Sequence, residues 1–140
     1  MTEKQARARA VTPELAEMLA ARPQLAEKFQ HFQNAFHEEG ALDLRVLELC
    51  RARIDALHGV GAEIDGQFDA LTDTEQQALS LAEQLAIDAH GVSDQQVAAL
   101  TSVLGEAATV SLLTAVSMHD AGIRLQKVLE PLSNTSLGSQ

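Results

Sequence analysis

The sequence predicts a single all-α domain, and three observations predict it. Strand signals are weak: the aromatics are four phenylalanines, β-branched residues are sparse, and the strong helix formers Ala, Leu, Glu and Gln dominate. Apolar residues recur at helical spacing in segment after segment. Two capping boxes, each a hydroxyl followed three residues later by an acid or amide, mark helix starts. With 140 residues, 46% of them hydrophobic, the chain has enough apolar material for one core and too much for disorder.

The elements follow in order. Thr12 and Pro13 open a first helix, a capping hydroxyl before a proline at the first helical position. Pro23 closes it and starts a second through Leu25, Phe29, Phe32 and Phe36, which ends at Glu38-Glu39-Gly40. A third, over about residues 42–57, puts Leu47, Cys50, Ile54 and Leu57 on one stripe. His58-Gly59-Val60-Gly61 is a turn, and a short helix follows to about Asp69. The box Thr72-Asp73-Thr74-Glu75 starts an amphipathic helix through Leu79, Leu81, Ala82, Leu85 and Ile87, stopped by His90-Gly91. The box Ser93-Asp94-Gln95-Gln96 starts the next, with Val92 and Val97 at the two positions of a hydrophobic staple. The last helix runs from near Glu106 to Glu130, where Pro131 is expected to end it. Its residues 107–118 are apolar on nearly every face, which places it at the centre of the bundle or between subunits. On this reading, a flexible N-terminus (1–11) and a flexible tail (132–140) flank a domain of six to seven helices over 12–131.

Charge narrows the function classes. Twenty acidic residues against ten basic ones give a net charge of −10, which argues against nucleic acid and anionic membranes, since both need a basic footprint. The imbalance is uneven: residues 54–123 contain no Lys or Arg but eleven Asp and Glu. No apolar run approaches the roughly 18 residues of a membrane span. Residues 1–11 are polar, without the apolar core of a signal peptide. The single cysteine, Cys50, excludes an intramolecular disulfide and fits a reducing compartment. A cytoplasmic protein is the expectation.

From Glu48 the chain shows a pattern: Glu48-Leu-Cys-Arg-Ala-Arg-Ile-Asp-Ala-Leu-His-Gly59, then Leu71-Thr-Asp-Thr-Glu75, Ala78-Leu-Ser-Leu-Ala-Glu-Gln84, His90-Gly-Val-Ser-Asp94 and Arg124-Leu125. In order and spacing these resemble the alkylhydroperoxidase D-like and carboxymuconolactone decarboxylase superfamily over about 90 residues. The resemblance implies that family's helical fold and a homo-oligomer: a dimer, trimer or hexamer. In its thiol peroxidase branch a helix N-terminus activates a cysteine pair, and a glutamate and a histidine relay protons. Carried over residue by residue, the resemblance puts the glutamate on Glu48, the cysteines on Val60 and Glu63, and the histidine on Gln67. Valine cannot attack a peroxide and no resolving thiol exists, so peroxidase activity by that mechanism is not expected.

Two readings stand beside each candidate residue. Glu48 is either a general acid or base, or one member of a surface ion-pair ladder with Arg51 and Asp55 on the same helical face. His58 and Glu63 bracket the turn; they either complement helix dipoles or join Glu48 as an acid/base set, and their spacing is a weak metal signal. Val60, Gln67, His119 and Arg51 are candidate pocket residues. His119 is otherwise a buried histidine satisfied by a carbonyl or a neighbouring acid. Cys50 falls on the apolar stripe and is expected to be buried and inert. His90 is structural, and Arg124 makes an ion pair across a helix or subunit boundary.

The function expected is therefore cofactor-independent acid/base chemistry of the lyase or decarboxylase type on a small organic molecule, with no metal. An acidic surface steers anions away, which favours a neutral or weakly polar substrate. The alternative is a non-catalytic oligomer, a relic of a thiol peroxidase that binds a ligand or partner. A third reading keeps peroxide chemistry at Cys50 alone.

Overall fold

In the computed structural model, which describes residues 13–38, 42–60 and 70–138, six α-helices follow one another. They are α1 (Pro13–Leu19), α2 (Pro23–Glu38), α3 (Leu44–Leu57), α4 (Asp73–Ile87), α5 (Asp94–Leu104) and α6 (Glu106–Gly138), with a 3₁₀ turn at Ala89–Gly91. Among the described residues there is no strand. None of these helices is long and apolar enough to cross a membrane. The expected N-terminal segment over 1–11 and the short helix before Asp69 lie outside the described residues.

Capping chemistry sets the helix starts. Thr72 accepts from the Glu75 amide at 3.1 Å while the Glu75 carboxylate accepts from the Thr72 amide at 3.0 Å. Ser93 and Gln96 repeat this at α5 with 3.1 and 2.9 Å. Both boxes stand where the sequence puts them. The third helix begins two residues later than expected, because the Asp43 carboxylate accepts from the Arg45 amide at 2.9 Å and so serves as its cap.

Helix ends follow equally local rules. At the end of α3 the Val60 amide donates to the Asp55 carbonyl (2.9 Å) and the Gly59 amide to Ala56 (3.1 Å), with Gly59 at φ +69°. That is a Schellman motif, and the left-handed residue it needs is the glycine. Gly105, at φ +89°, is the one residue between α5 and α6 and turns the chain sharply there. α4 stops at Ile87 rather than at His90-Gly91, because the extended Asp88 turns its carboxylate onto the His90 amide at 3.2 Å. The largest departure is at Pro131. α6 runs through it to Gly138, so the proline does not end the helix. Pro131 and Leu132 are exposed, and on an exposed turn water can take the carbonyl that proline deprives of its donor.

Packing places α6 at the centre, in contact with each of the other five helices. Its Leu112, Ala115, Val116 and Ile123 join Leu47, Cys50 and Ile54 of α3, Leu79, Leu81 and Ala82 of α4, and Leu100 of α5 in one core. Val92 and Val97 pack against this core. The expected stripes fray at their last residues, since Leu57 and Ile87 are exposed at the ends of α3 and α4. Arg45 pairs with Glu75 and Arg53 with Glu83 at the same sequence separation, so α3 and α4 run parallel.

The Arg45–Glu75 contact yields a pH prediction. The Glu75 carboxyl is held below the usual carboxylate range, first by the Thr72 backbone N–H and then by the Arg45 side chain. A depressed folded value means that the stabilisation is complete above the unfolded value of about 4.3 and fades as pH falls through the folded one. Glu75→Gln keeps an oxygen for the Thr72 amide but loses the attraction to Arg45. Urea midpoints should show the wild type ahead of this variant at neutral pH and losing its lead between about pH 5 and pH 3. A lead that stays constant over that range rules the linkage out.

Candidate functional site

Glu48, Arg51, Asp55 and His58 are spaced three, four and three residues apart, so α3 carries them on one face. The last turn of that face meets His119 and Asp120, adjacent on α6, and the two pairs cross. His119 Nε2 lies 2.7 Å from Asp55 Oδ1, and His58 Nε2 lies 2.6 Å from Asp120 Oδ1. A carboxylate can only accept, so each Nε2 carries a proton into its hydrogen bond. In the neutral rings Nδ1 then keeps its lone pair.

Three hydrogen bonds from two cations brace this seam. Arg124 Nε donates to the second Asp120 oxygen at 3.0 Å, and Arg124 Nη2 donates to the Ala86 carbonyl at 3.2 Å, tying α4 to the pair. Lys127 Nζ donates to the His58 carbonyl at 2.8 Å, capping the end of α3 with a positive charge. The Arg124 ion pair thus lies within α6, and what crosses to α4 is a hydrogen bond to a carbonyl rather than the expected ion pair. The His119 and Asp55 side chains are 8% and 35% exposed, those of His58 and Asp120 13% and 17%. All four side chains are thus partly shielded, His119 the most and Asp55 the least.

Arg51 is the anomaly of the site. The sequence allowed a surface ladder with Glu48, yet the Arg51 side chain is only 4% exposed. None of its guanidinium nitrogens has a hydrogen-bond partner among the described residues, and the Glu48 carboxylate stands 3.8 Å away. Burial pushes the guanidinium pKa down, against the upward pull of the Glu48 and Asp55 carboxylates. A buried cation with no donor satisfied costs stability.

The candidate residues are thus partly brought together. His58 and His119 meet at the seam, and His119 is satisfied by a carboxylate, one of the two arrangements expected of it. Glu48 lies ten residues before His58 on the same helix, about 15 Å along the axis, and pairs with Arg51 instead. Val60 is exposed at the end of the Schellman turn. Glu63 and Gln67 lie outside the described residues. Asp120 was passed over as a partner for His58, and Asp55 was read only as a partner for Arg51. The sequence carries no signal for either pairing, because Asp55 also has Arg51, and Asp120 also has Arg124, four residues away.

Cys50 is fully buried, and desolvation pushes its thiol up to about 12. At neutral pH that leaves about one thiolate in 10⁵ molecules. Compared with family models, with curated proteins and with solved structures, the chain matches none.

Two predictions follow from the buried groups. Cys50 should stay unreactive towards an aromatic disulfide reagent in the native protein and react fully in guanidinium chloride; rapid native labelling would contradict its burial. Arg51→Met should leave the thermal midpoint unchanged or raise it, because an apolar side chain of similar reach removes a buried guanidinium that has no hydrogen bond among the described residues. A loss of more than about 3 kcal/mol would mean that the guanidinium is a structural keystone after all.

Proposed function

We propose that this protein is an alkylhydroperoxidase D-like member without redox cysteines, working as a cofactor-independent acid/base enzyme on a small, neutral or weakly polar organic substrate. The observation that supports the reading is the His58–Asp120 pair, with the buried Arg51 two turns before His58 on the same face of α3. Asp120 fixes the tautomer of His58 and steadies the imidazolium that forms when Nδ1 takes a proton. Arg51 offers a cation shielded from solvent, suited to negative charge that develops as a C–H or C–C bond breaks. His119–Asp55 holds the two helices in the register this requires.

Glu48 keeps its assignment as the family's acid through the resemblance, with Arg51 setting its local field. Glu63, Val60 and Gln67 are assigned to the pocket on the same ground. Assembly as a homo-oligomer belongs to the same proposal, as does a cytoplasmic location. A lyase or decarboxylase reaction fits these groups because it needs proton transfer and charge stabilisation but no redox centre.

Such a base reveals itself before its natural substrate is known. In D₂O the wild type should exchange the acidic C–H protons of some members of a panel of small ketones and lactones faster than buffer, followed by proton NMR. His58→Gln should slow that exchange by about 10² or more while the helical circular dichroism signal stays intact. Exchange no faster than buffer across the panel, or exchange indifferent to His58→Gln, would falsify the reading. Ligand-induced shifts without exchange would identify the alternative, a binding protein that kept the fold and lost the chemistry.

A further inference from the structure

The two crossed pairs share one chemistry but not one electrostatic setting. In each, an imidazole Nε2 donates to a carboxylate oxygen, at 2.6 Å from His58 to Asp120 and 2.7 Å from His119 to Asp55. Among the described residues Asp55 accepts no second side-chain hydrogen bond. Asp120 instead divides its two oxygens: Oδ1 faces His58, and Oδ2 accepts from Arg124 Nε at 3.0 Å. Arg124 is itself held, because its Nη2 donates to the Ala86 carbonyl near the end of α4 at 3.2 Å. Lys127, three residues further along α6, donates to the His58 carbonyl at 2.8 Å. After Arg53 the chain has no other Lys or Arg, so both of its later cations are bonded to the His58–Asp120 pair.

A carboxylate beside an imidazole does two things at once. It orients the ring by accepting from one nitrogen, and its charge draws a second proton onto the other. The first suits a general base and the second defeats it, since an imidazolium has no lone pair left to take a proton. An arginine on the far carboxylate oxygen separates the two effects: the hydrogen bond stays and the charge behind it is offset. We infer that Arg124 is a positioning residue for His58, which through Asp120 keeps the base oriented and uncharged. The inference rests on the reading of His58 as a base and adds the control of its charge state.

The groups around His58 divide by sign. On its own helix Asp55 stands one turn back, bonded to His119, and Arg51 stands two turns back. α6 brings Asp120 as the carboxylate in contact, Arg124 and Lys127 as cations, and His119 alongside. α4 contributes the Ala86 carbonyl, which is turned to Arg124. A stabilising role alone is a poor account of Arg124. Its side chain is 58% exposed, and an exposed ion pair four residues apart on one helix adds little to stability.

The test is a proton NMR titration of the full chain, its five histidines assigned by single replacement. In Arg124→Gln the pH midpoint of the His58 ring-proton shift should rise by about half a unit or more, because Asp120 then acts on the imidazole with its whole charge. Arg124→Lys, which keeps a cation there, should return most of the way to the wild type. His119 is the internal control: it lies on the same seam but is bonded to the other carboxylate, and its titration should not move. An unchanged His58 midpoint in Arg124→Gln overturns the inference. So does an equal move of both histidines, which would mean a loosened seam rather than an altered charge. The titration is read on the protein alone, so it is separate from the exchange assay. Absent exchange together with the expected shift would sink the assignment of His58 as a base and leave the control of its charge by Arg124 standing.

Discussion

Two imidazole–carboxylate hydrogen bonds crossing from α3 to α6 fix the register of the helices around which everything else packs. Hydrogen bonds to ionised groups contribute about 1.5–3 kcal/mol each, and this crossed pair excludes a slip of either helix by one turn. The surrounding features serve that geometry. Gly59 ends α3 at the point where His58 still projects from a helical turn, and Lys127 neutralises the carbonyl that the turn exposes. Arg124 extends the same network to the end of α4 through Ala86. Three helices are thus referenced to one carboxylate, Asp120.

Arg51 stands against this economy. The core around it is apolar and well filled, with Leu47, Cys50 and Ile54 on the adjoining face of the same helix fully buried. A methionine there would spare the desolvation of the guanidinium and forgo the attraction of the Glu48 and Asp55 carboxylates. Sites where local rules for a stable fold are broken are where function is found, because function is what selects against the more stable residue. On the proposed reading, its place on the face that leads to His58 puts the buried cation two turns from the acid/base pair.

The helix pattern was legible because its determinants are local. A hydroxyl and an acid three residues apart specify a start within one turn of chain, so Thr72 and Ser93 could be read directly. Asp43 was missed because the apolar Leu42 before it extended the apparent period of α3. Pro131 was misread because a proline removes one hydrogen bond, and an exposed helix end can lose one without stopping. The crossed pairs were not legible. His58 and Asp120 are 62 residues apart, His119 and Asp55 are 64 apart, and nothing in the local chemistry of either segment names the other. Glu48 was joined to His58 in the expected catalytic set although a single helix holds the two far apart, a constraint that counting residues would have supplied.

The uneven charge distribution has a consequence for how the molecule can be cut. Trypsin cleaves only after Lys or Arg, and none stands between Arg53 and Arg124. A complete digest therefore carries residues 54–124 away as one uninterrupted peptide. Asp55 and His58 sit at its beginning, His119 and Asp120 near its end. Every side chain of the crossed pairs travels on a single fragment, so any covalent mark left on the seam is recovered in one piece.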